Sequence, residues 1–376
     1  MESLKSSKVT AFLTTPVIVP SSSPVSEIIG IMKNNNLYEV FIQDGSKLGI
    51  VPMREVLKAS DITNMKASSL MFSLLKVSPE DTVSKAAKLM NDYRLRTLPV
   101  ASQRTIEGAV TAQSVCRALL GVKEFSDVQV NKLMKRNLVT VGKNDSLSKA
   151  RNLMIENGID QLPVLDSGKL CGIISSHHIV FLMFPKERLS RDMYFHERAG
   201  LADLKISSLM DTNPLVCNPD EKAQEVLKSM LDQGKTYAIV KLWDELQGIV
   251  TYRDFVGLLA EPETLEVPAY IVGLPKDPFE AHLAKVKFFR EAQSLQKSFP
   301  KVEEIRAMIK AKSKSSEKRR YEVRVSIKAA GNVFTYSEEG WDLPTLFDGI
   351  QSKMKRLVTQ KRDRRRRESI RKLPHT

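Results

Sequence analysis

A glycine set between apolar residues recurs four times in the first 260 residues, each time just ahead of a stretch that reads as a helix. It appears as Leu48-Gly49-Ile50-Val51, Gly108-Ala109-Val110-Thr111, Cys171-Gly172-Ile173-Ile174-Ser175 and Gly248-Ile249-Val250-Thr251. The glycines stand 59, 64 and 76 residues apart. A period of that size marks stacked supersecondary units, none of which buries its apolar face alone. Upstream lie amphipathic helices with three-and-four spacing, at Val83-Ala86-Ala87-Leu89-Met90, Leu147-Ala150-Leu153-Met154 and Ala223-Val226-Leu227-Met230. A short apolar strand follows each helix: Val40-Phe41-Ile42, Leu98-Pro99-Val100, Leu162-Pro163-Val164-Leu165 and Tyr237-Ala238-Ile239-Val240. Three units open on Leu70-Met71, Leu133-Met134 and Leu209-Met210. The unit reads helix, strand, helix, strand, strand, helix.

These residues resemble the CBS domain family in their Leu-Met opening, the Asn213-Pro214-Leu215-Val216 strand, Leu-Pro-Val and the Gly-Ile-Val-Thr-x-x-Asp ending at Asp254. The resemblance covers residues 5–260, as repeats at 5–60, 61–122, 126–184 and 201–260 with a linker at 185–200. It implies βαββα-type repeats paired first with second and third with fourth, and clefts that take an adenine nucleotide (AMP, ADP or ATP). In the family, the hydroxyl after the glycine strand and the acid three residues on hold phosphate and ribose. Physics agrees, since a hydroxyl at a helix start meets phosphate and an acid accepts from ribose hydroxyls. Only the fourth repeat has the whole pattern, Thr251-Tyr252-Arg253-Asp254; the third has Ser175 and His178, the second Thr111 and Ser114, the first Pro52 and Glu55. The nucleotide is therefore expected at the fourth repeat, on Thr251 and Asp254, with Thr212, Pro214 and Ser175 beside them. The competing reading is that Thr251 simply caps its helix.

Other chemistry is thinly represented. Cys116, Cys171 and Cys217 are scattered singly, which argues against disulfides and thiolate zinc sites. His177 and His178 adjoin and so point apart on a helix, and His196 stands alone in a charged stretch, so no metal is expected. No apolar run approaches a membrane span, and the first residues lack a signal-peptide pattern. A cytoplasmic protein is expected. The absence of a Gly-rich phosphate loop or nucleophile motif argues against an enzyme.

Charge is concentrated at one end. Of the formal +14, residues 301–376 carry +11 and residues 261–300 carry −1, leaving +4 for the first 260. Such a surface attracts polyanions, nucleic acid first and anionic membrane second. A new pattern begins after Leu259. Val267 to Leu274 reads as a strand, and a helix from Asp277-Pro278 buries Phe279, Leu283, Val286, Phe289, Ala292 and Leu295. Alternating strands follow at Ile305-Ala307-Ile309, Tyr321-Val323-Val325-Ile327 and Val333 to Tyr336. A last helix is capped by Asp342 and buries Leu343, Leu346, Phe347, Ile350, Met354, Leu357 and Val358. The whole chain is thus expected to be α+β, with two CBS-pair modules before a β-α-β-β-β-α sandwich at 264–360 and a basic tail at 361–376.

That order, with Phe299-Pro300-Lys301-Val302-Glu303-Glu304-Ile305-Arg306, Arg320-Tyr321-Glu322-Val323-Arg324-Val325 and Lys353-Met354-Lys355-Arg356-Leu357, resembles the ribosome hibernation-promoting factor family. Leu346-Phe347-Asp348 departs from that family's Ala-hydrophobic-Asp. Together with the repeats, the chain looks like the archaeal ribosome-dimerising type of hibernation factor. This implies docking on the small ribosomal subunit and its rRNA, blockade of translation when energy is low, and a homodimer. The residues expected to meet RNA are Lys318, Arg319, Arg320, Arg324, Lys328, Lys353, Lys355, Arg356, Lys361, Arg362, Arg364, Arg365, Arg366 and Arg367. Few aromatics interleave with them, so contact is expected to phosphates and RNA shape rather than by base stacking. A disordered basic tail is the competing reading for 361–376. The alternative function is a CBS-regulated DNA-binding transcriptional regulator, against which stands the lack of a helix-turn-helix pattern after residue 260.

Overall fold

The computed structural model describes the chain except residues 45–46, 60, 63, 74–76, 103–104, 184–203, 262–267, 276–277, 299–301, 315–318, 330, 355 and 357–376. The chain forms two compact units, Met1–Glu261 and Pro262–Thr376. The expected linker at 185–200 and tail at 361–376 lie outside the described residues.

In the first unit every repeat is built on an antiparallel hairpin. The strand pairs are Glu39–Asp44 with Lys47–Pro52, Thr97–Ser102 with Thr105–Thr111, Gln161–Asp166 with Lys169–Ser175, and Tyr237–Leu242 with Glu245–Thr251. The helix before each hairpin buries one stripe, such as Val83, Ala86, Ala87 and Met90 in Val83–Asp92. That spacing places successive apolar side chains on a single face.

The short lead-in segment of each repeat does not stay at home. Leu13–Thr14 of the first repeat pairs with the second repeat's hairpin, Leu13 opposite Val110. Phe72–Ser73 of the second returns to the first, Ser73 opposite Gly49. Lys135 of the third bridges Ile249 of the fourth, and Asp211 of the fourth bridges Ile173 of the third. This exchange explains the repeated glycine. A Cβ on Gly248 would come within 2.8 Å of the Lys135 carbonyl oxygen, and one on Gly172 within 2.7 Å of the Asp211 oxygen. At Gly49 and Gly108 the incoming side chains of Met71 and Leu13 fill the same space. The glycine is where a backbone from the neighbouring repeat crosses.

Helices join the pairs crosswise. One buried cluster combines first-repeat residues such as Val25, Ile28 and Met32 with Leu147, Met154 and Ile179 of the third. Another combines Val83, Met90 and Leu119 of the second with Leu227, Phe255 and Val256 of the fourth. Each repeat thus shares a sheet edge with one neighbour and a helical core with another.

The second unit is a four-stranded sheet in the order Ala269–Val272, Val302–Lys314, Arg319–Ala329, Asn332–Gly340. The first pairing is parallel and the other two are antiparallel. The helix Pro278–Ser298 and a last helix over 343–354 pack on one face. Asp342 caps that last helix through the Thr345 N–H at 3.0 Å. In the first helix the buried phenylalanine is Phe288, against Phe347 at 6.2 Å, and not Phe289, which is half-buried. Leu283, Val286, Ala292 and Leu295 are buried as expected, and the stripe that meets the sheet runs Ala284, Phe288, Ala292, Leu295. The other sheet face carries no helix among the described residues.

Candidate functional site

The hydroxyls expected to meet phosphate are all engaged at helix starts. Thr111 and Ser114 form a reciprocal capping box with the Ser114 N–H at 2.9 Å from Thr111 Oγ1. Ser175 Oγ accepts from the His178 N–H at 3.4 Å, and the Ser175 N–H donates to His178 Nδ1 at 3.3 Å. Pro52 provides no side-chain cap. In the fourth repeat Asp254 Oδ2 accepts from the Thr251 N–H at 2.7 Å and from the Thr251 hydroxyl at 2.6 Å.

Asp254 has a further partner from another repeat. Lys135 Nζ lies 3.1 Å from Asp254 Oδ1, with the lysine side chain 60% exposed and the carboxylate nearly buried. The exchanged lead-in segment puts Lys135 there, because its backbone is bonded to Ile249, two residues before Thr251. Further along the same segment, Arg136, Leu138 and Thr140 line an open groove of about 600 Å³ with Leu165, Lys169 and Leu246, at the turns of the third and fourth hairpins and apart from Thr251 and Asp254. A buried carboxylate that accepts, with a hydroxyl at a helix start and an accessible ammonium that donate, is matched to ribose hydroxyls and a phosphate.

The same exchange divides the residues expected to act together. Thr212 and Pro214 follow Asp211, which bridges the third repeat's Ile173. They therefore belong with Ser175 and His178, while Thr251 and Asp254 are served by the lead-in Lys135–Thr140 of the third repeat. The sequence expectation sets Thr212, Pro214 and Ser175 beside Thr251 and Asp254 as one group. In the Ser175 cleft, Asp211 accepts from Tyr237 at 3.1 Å and pairs with Lys235. Burial raises this carboxyl, but Lys235 and the Asn213 N–H outweigh it and hold Asp211 below the usual range.

A second constellation lies where the four repeats meet. Tyr38, Arg96, Asp160 and Thr236 each precede the strand residue paired with a helix start: Glu39 with Pro52, Thr97 with Thr111, Gln161 with Ser175, Tyr237 with Thr251. These equivalent positions converge. Arg96 pairs with Asp160 at 2.9 Å, both buried, and its guanidinium lies 3.7 Å from the centroid of the Tyr38 ring. The Tyr38 hydroxyl lies 3.4 Å from Thr236 Oγ1. Glu39 accepts from the Arg96 N–H at 3.0 Å, and Arg54 donates to the carbonyls of Tyr93 and Arg94. Burial raises the Asp160 carboxyl, yet Arg96, Arg253 and Arg54 around it prevail and hold it low. Burial pushes Glu39 up despite Arg96. Sequence reasoning missed this junction. The signal was the alignment of the repeats, which sets polar residues in one column just before a buried strand.

The cations expected to meet RNA are distributed over the second unit. Arg324 and Lys328 are exposed on the open sheet face; Arg320 lies at its hairpin end, 3.4 Å from Glu339. Lys353 and Arg356 belong to the helical layer, where Lys353 pairs with Glu338. Arg324 and Lys328 also have acidic neighbours, Glu322 at 3.3 Å and Glu303 at 2.9 Å. Lys318, Lys355, Lys361, Arg362, Arg364, Arg365, Arg366, Arg367 and the Arg319 side chain lie outside the described residues. Among the described residues there is no cluster of metal-ligating side chains, and no helix is long and apolar enough to cross a membrane.

Comparison with known proteins agrees with the repeats. The CBS domain family model matches residues 9–62, 67–121, 127–184 and 206–261, more than half of the chain. The uncharacterized protein MJ1404 of Methanocaldococcus jannaschii is 27% identical over 252 residues, 65% of this chain and 60% of that protein. The SNF1-related protein kinase regulatory subunit gamma-1-like of Arabidopsis thaliana is 23% identical over 60% of this chain and 53% of its own length. The chain thus spans only part of these relatives. Among solved structures, protein MJ1225 of Methanocaldococcus jannaschii, named as a candidate archaeal homologue of γ-AMPK, superposes with a TM-score of 0.61 at 15% identity. It covers 68% of this chain and 100% of itself. Four matched copies, with strands exchanged between neighbours, place the chain in the CBS domain family.

Proposed function

We propose that this chain is a non-catalytic, nucleotide-responsive protein that docks on the small ribosomal subunit. An adenine nucleotide held between the third and fourth repeats biases the arrangement of the paired repeats. Through it the nucleotide biases docking of the basic unit on rRNA, as a homodimer that keeps the subunit inactive or dimerised. The observation that carries the sensor half is the pairing of Lys135 with Asp254 across two repeats, beside Thr251. A ligand bridging groups from two repeats favours the arrangement that brings them together, and only that difference in affinity moves an equilibrium. The regulatory role carried in the name of the Arabidopsis relative supports this reading. The docking half rests on the +11 of residues 301–376 and on the exposed cations of the sheet.

Calorimetric titration of the full chain with AMP, ADP and ATP tests the sensor. Asp254→Ala is expected to weaken binding at least about ten-fold, the cost of removing a charged hydrogen-bond acceptor. Unchanged affinity would move the site away from the fourth repeat. Gradient sedimentation with small subunits tests docking, which is expected to fade steeply as salt rises. Free migration at low salt, with tight binding to duplex DNA, favours the transcriptional alternative.

A further inference from the structure

The open face of the second unit's sheet has a composition that the basic residues alone do not reveal. Strand alternation sends Ile305, Ala307, Ile309, Val323, Val325 and Ile327 into the helical core. Their neighbours therefore point to the uncovered face. On that face Tyr270 is 53% exposed, with Val272 and Met308 also exposed. Tyr270 stands in register with Arg306, Arg306 with Ser326, and Ser326 with Thr335. The next row is Val272, Met308, Arg324 and Ser337.

Charge on this face is only partly answered. Arg306 and Lys310 are exposed, and among the described residues no ion pair joins either to an acid. The cross-strand neighbours of Arg306 are a tyrosine and a serine, not a carboxylate. Arg324 and Lys328 keep more than half of their side-chain area open despite their glutamate partners. An uncompensated arginine beside an exposed aromatic ring, on a platform four strands wide, complements a phosphate next to an unstacked base. Strands about 4.8 Å apart give room for two or three nucleotides.

We infer that this open face binds single-stranded RNA, with Tyr270 stacking on an unpaired base while Arg306, Lys310 and Arg324 hold the flanking phosphates. The inference rests on the RNA-docking reading above and replaces the expectation of contact by phosphate and shape alone. It selects loops and ends of rRNA as targets, because bases within a duplex offer no face to a ring.

The test uses the full chain, an eight-nucleotide uridine oligomer and an RNA duplex of matched charge, read by fluorescence anisotropy at several salt concentrations. The oligomer is expected to bind more tightly than the duplex. Tyr270→Ala should weaken oligomer binding roughly ten-fold with an unchanged salt slope, and Tyr270→Phe should restore it, as for the loss and return of one stack. Arg306→Ala should instead lower the salt slope by about one. Equal binding of oligomer and duplex, with Tyr270→Ala indifferent, overturns the stacking platform but leaves RNA docking standing. Loss of concentration-dependent self-association in Tyr270→Ala, without any change in RNA affinity, assigns the face to a second copy of the chain and also overturns it. Failure to bind either RNA or small subunits overturns both readings together.

Discussion

His177 is a side chain whose chemistry is set almost wholly by where it is packed. Its ring lies 3.7 Å from Tyr38 and 4.8 Å from Phe181, with Nε2 2.9 Å from the Leu37 carbonyl. Burial depresses its pKa from 6.5 to about 4, with the nearby Arg96 acting in the same sense and the carbonyl opposing. The unfolded chain takes up the proton near pH 6.5 while the folded one refuses it until about 4. Stability from this residue is therefore present above 6.5 and is lost as pH falls through that window, by up to roughly 3 kcal/mol. Glu39, raised by burial, takes its proton first in the folded state and so acts in the opposite direction as pH falls. Melting temperatures followed from pH 7 to pH 4 should decline, and His177→Gln should decline less. Parallel curves for the two proteins would show that His177 is not the group responsible.

At the scale of elements, the glycine motif and the strand exchange are one fact seen twice. A Cβ at Gly172 would meet a backbone oxygen that cannot rotate away, whereas one at Gly108 would meet Leu13 methyls that can. Gly172→Ala is expected to cost about 1–3 kcal/mol, and Gly108→Ala clearly less. Chemical denaturation measures both, and equal costs would count against the crossing as the reason for the motif. The hairpins and their helices were legible because period and burial agree. In Pro278–Ser298 the spacing picks out Leu283, Val286, Ala292 and Leu295 correctly and differs only at Phe289, because adjacent Phe288 and Phe289 fit it almost equally well. Only contact with Phe347 decides between them. Where the lead-in segments go was not legible, since the sequence carries no mark of which hairpin a two-residue strand will join. Which helix start Thr212 and Pro214 accompany depends on that choice.

Across the whole first unit, the polar junction ties one module to the other alongside the two apolar helical clusters. Arg96 comes from the second repeat and Asp160 from the third, and Arg94 donates to the carbonyls of Asn157 and Gly158 in the same region. A buried pair of this kind adds little over an apolar one, but removing one partner strands the other charge. Asp160→Ala should destabilise the chain by about 3–5 kcal/mol. In differential scanning calorimetry the unfolding of the first unit should broaden or split as the modules come apart. A sharp single transition at the original temperature would mean that the apolar helical clusters suffice. The candidate nucleotide site was half legible for the same reason. Thr251 and Asp254 were visible as a motif within one repeat, while Lys135, some 120 residues earlier in the chain, enters only through the fold.

The exchanged lead-in strands also order events during synthesis. Leu13 emerges well before its sheet partner Val110, which lies 97 residues later. At translation speeds of about 5–20 residues per second, that strand waits roughly 5–20 seconds for a partner. The first repeat's own sheet likewise waits for Phe72 and Ser73 of the second repeat, which arrive about 60 residues after Leu13 to flank Gly49. Growth of the nascent chain thus proceeds by pairs of repeats.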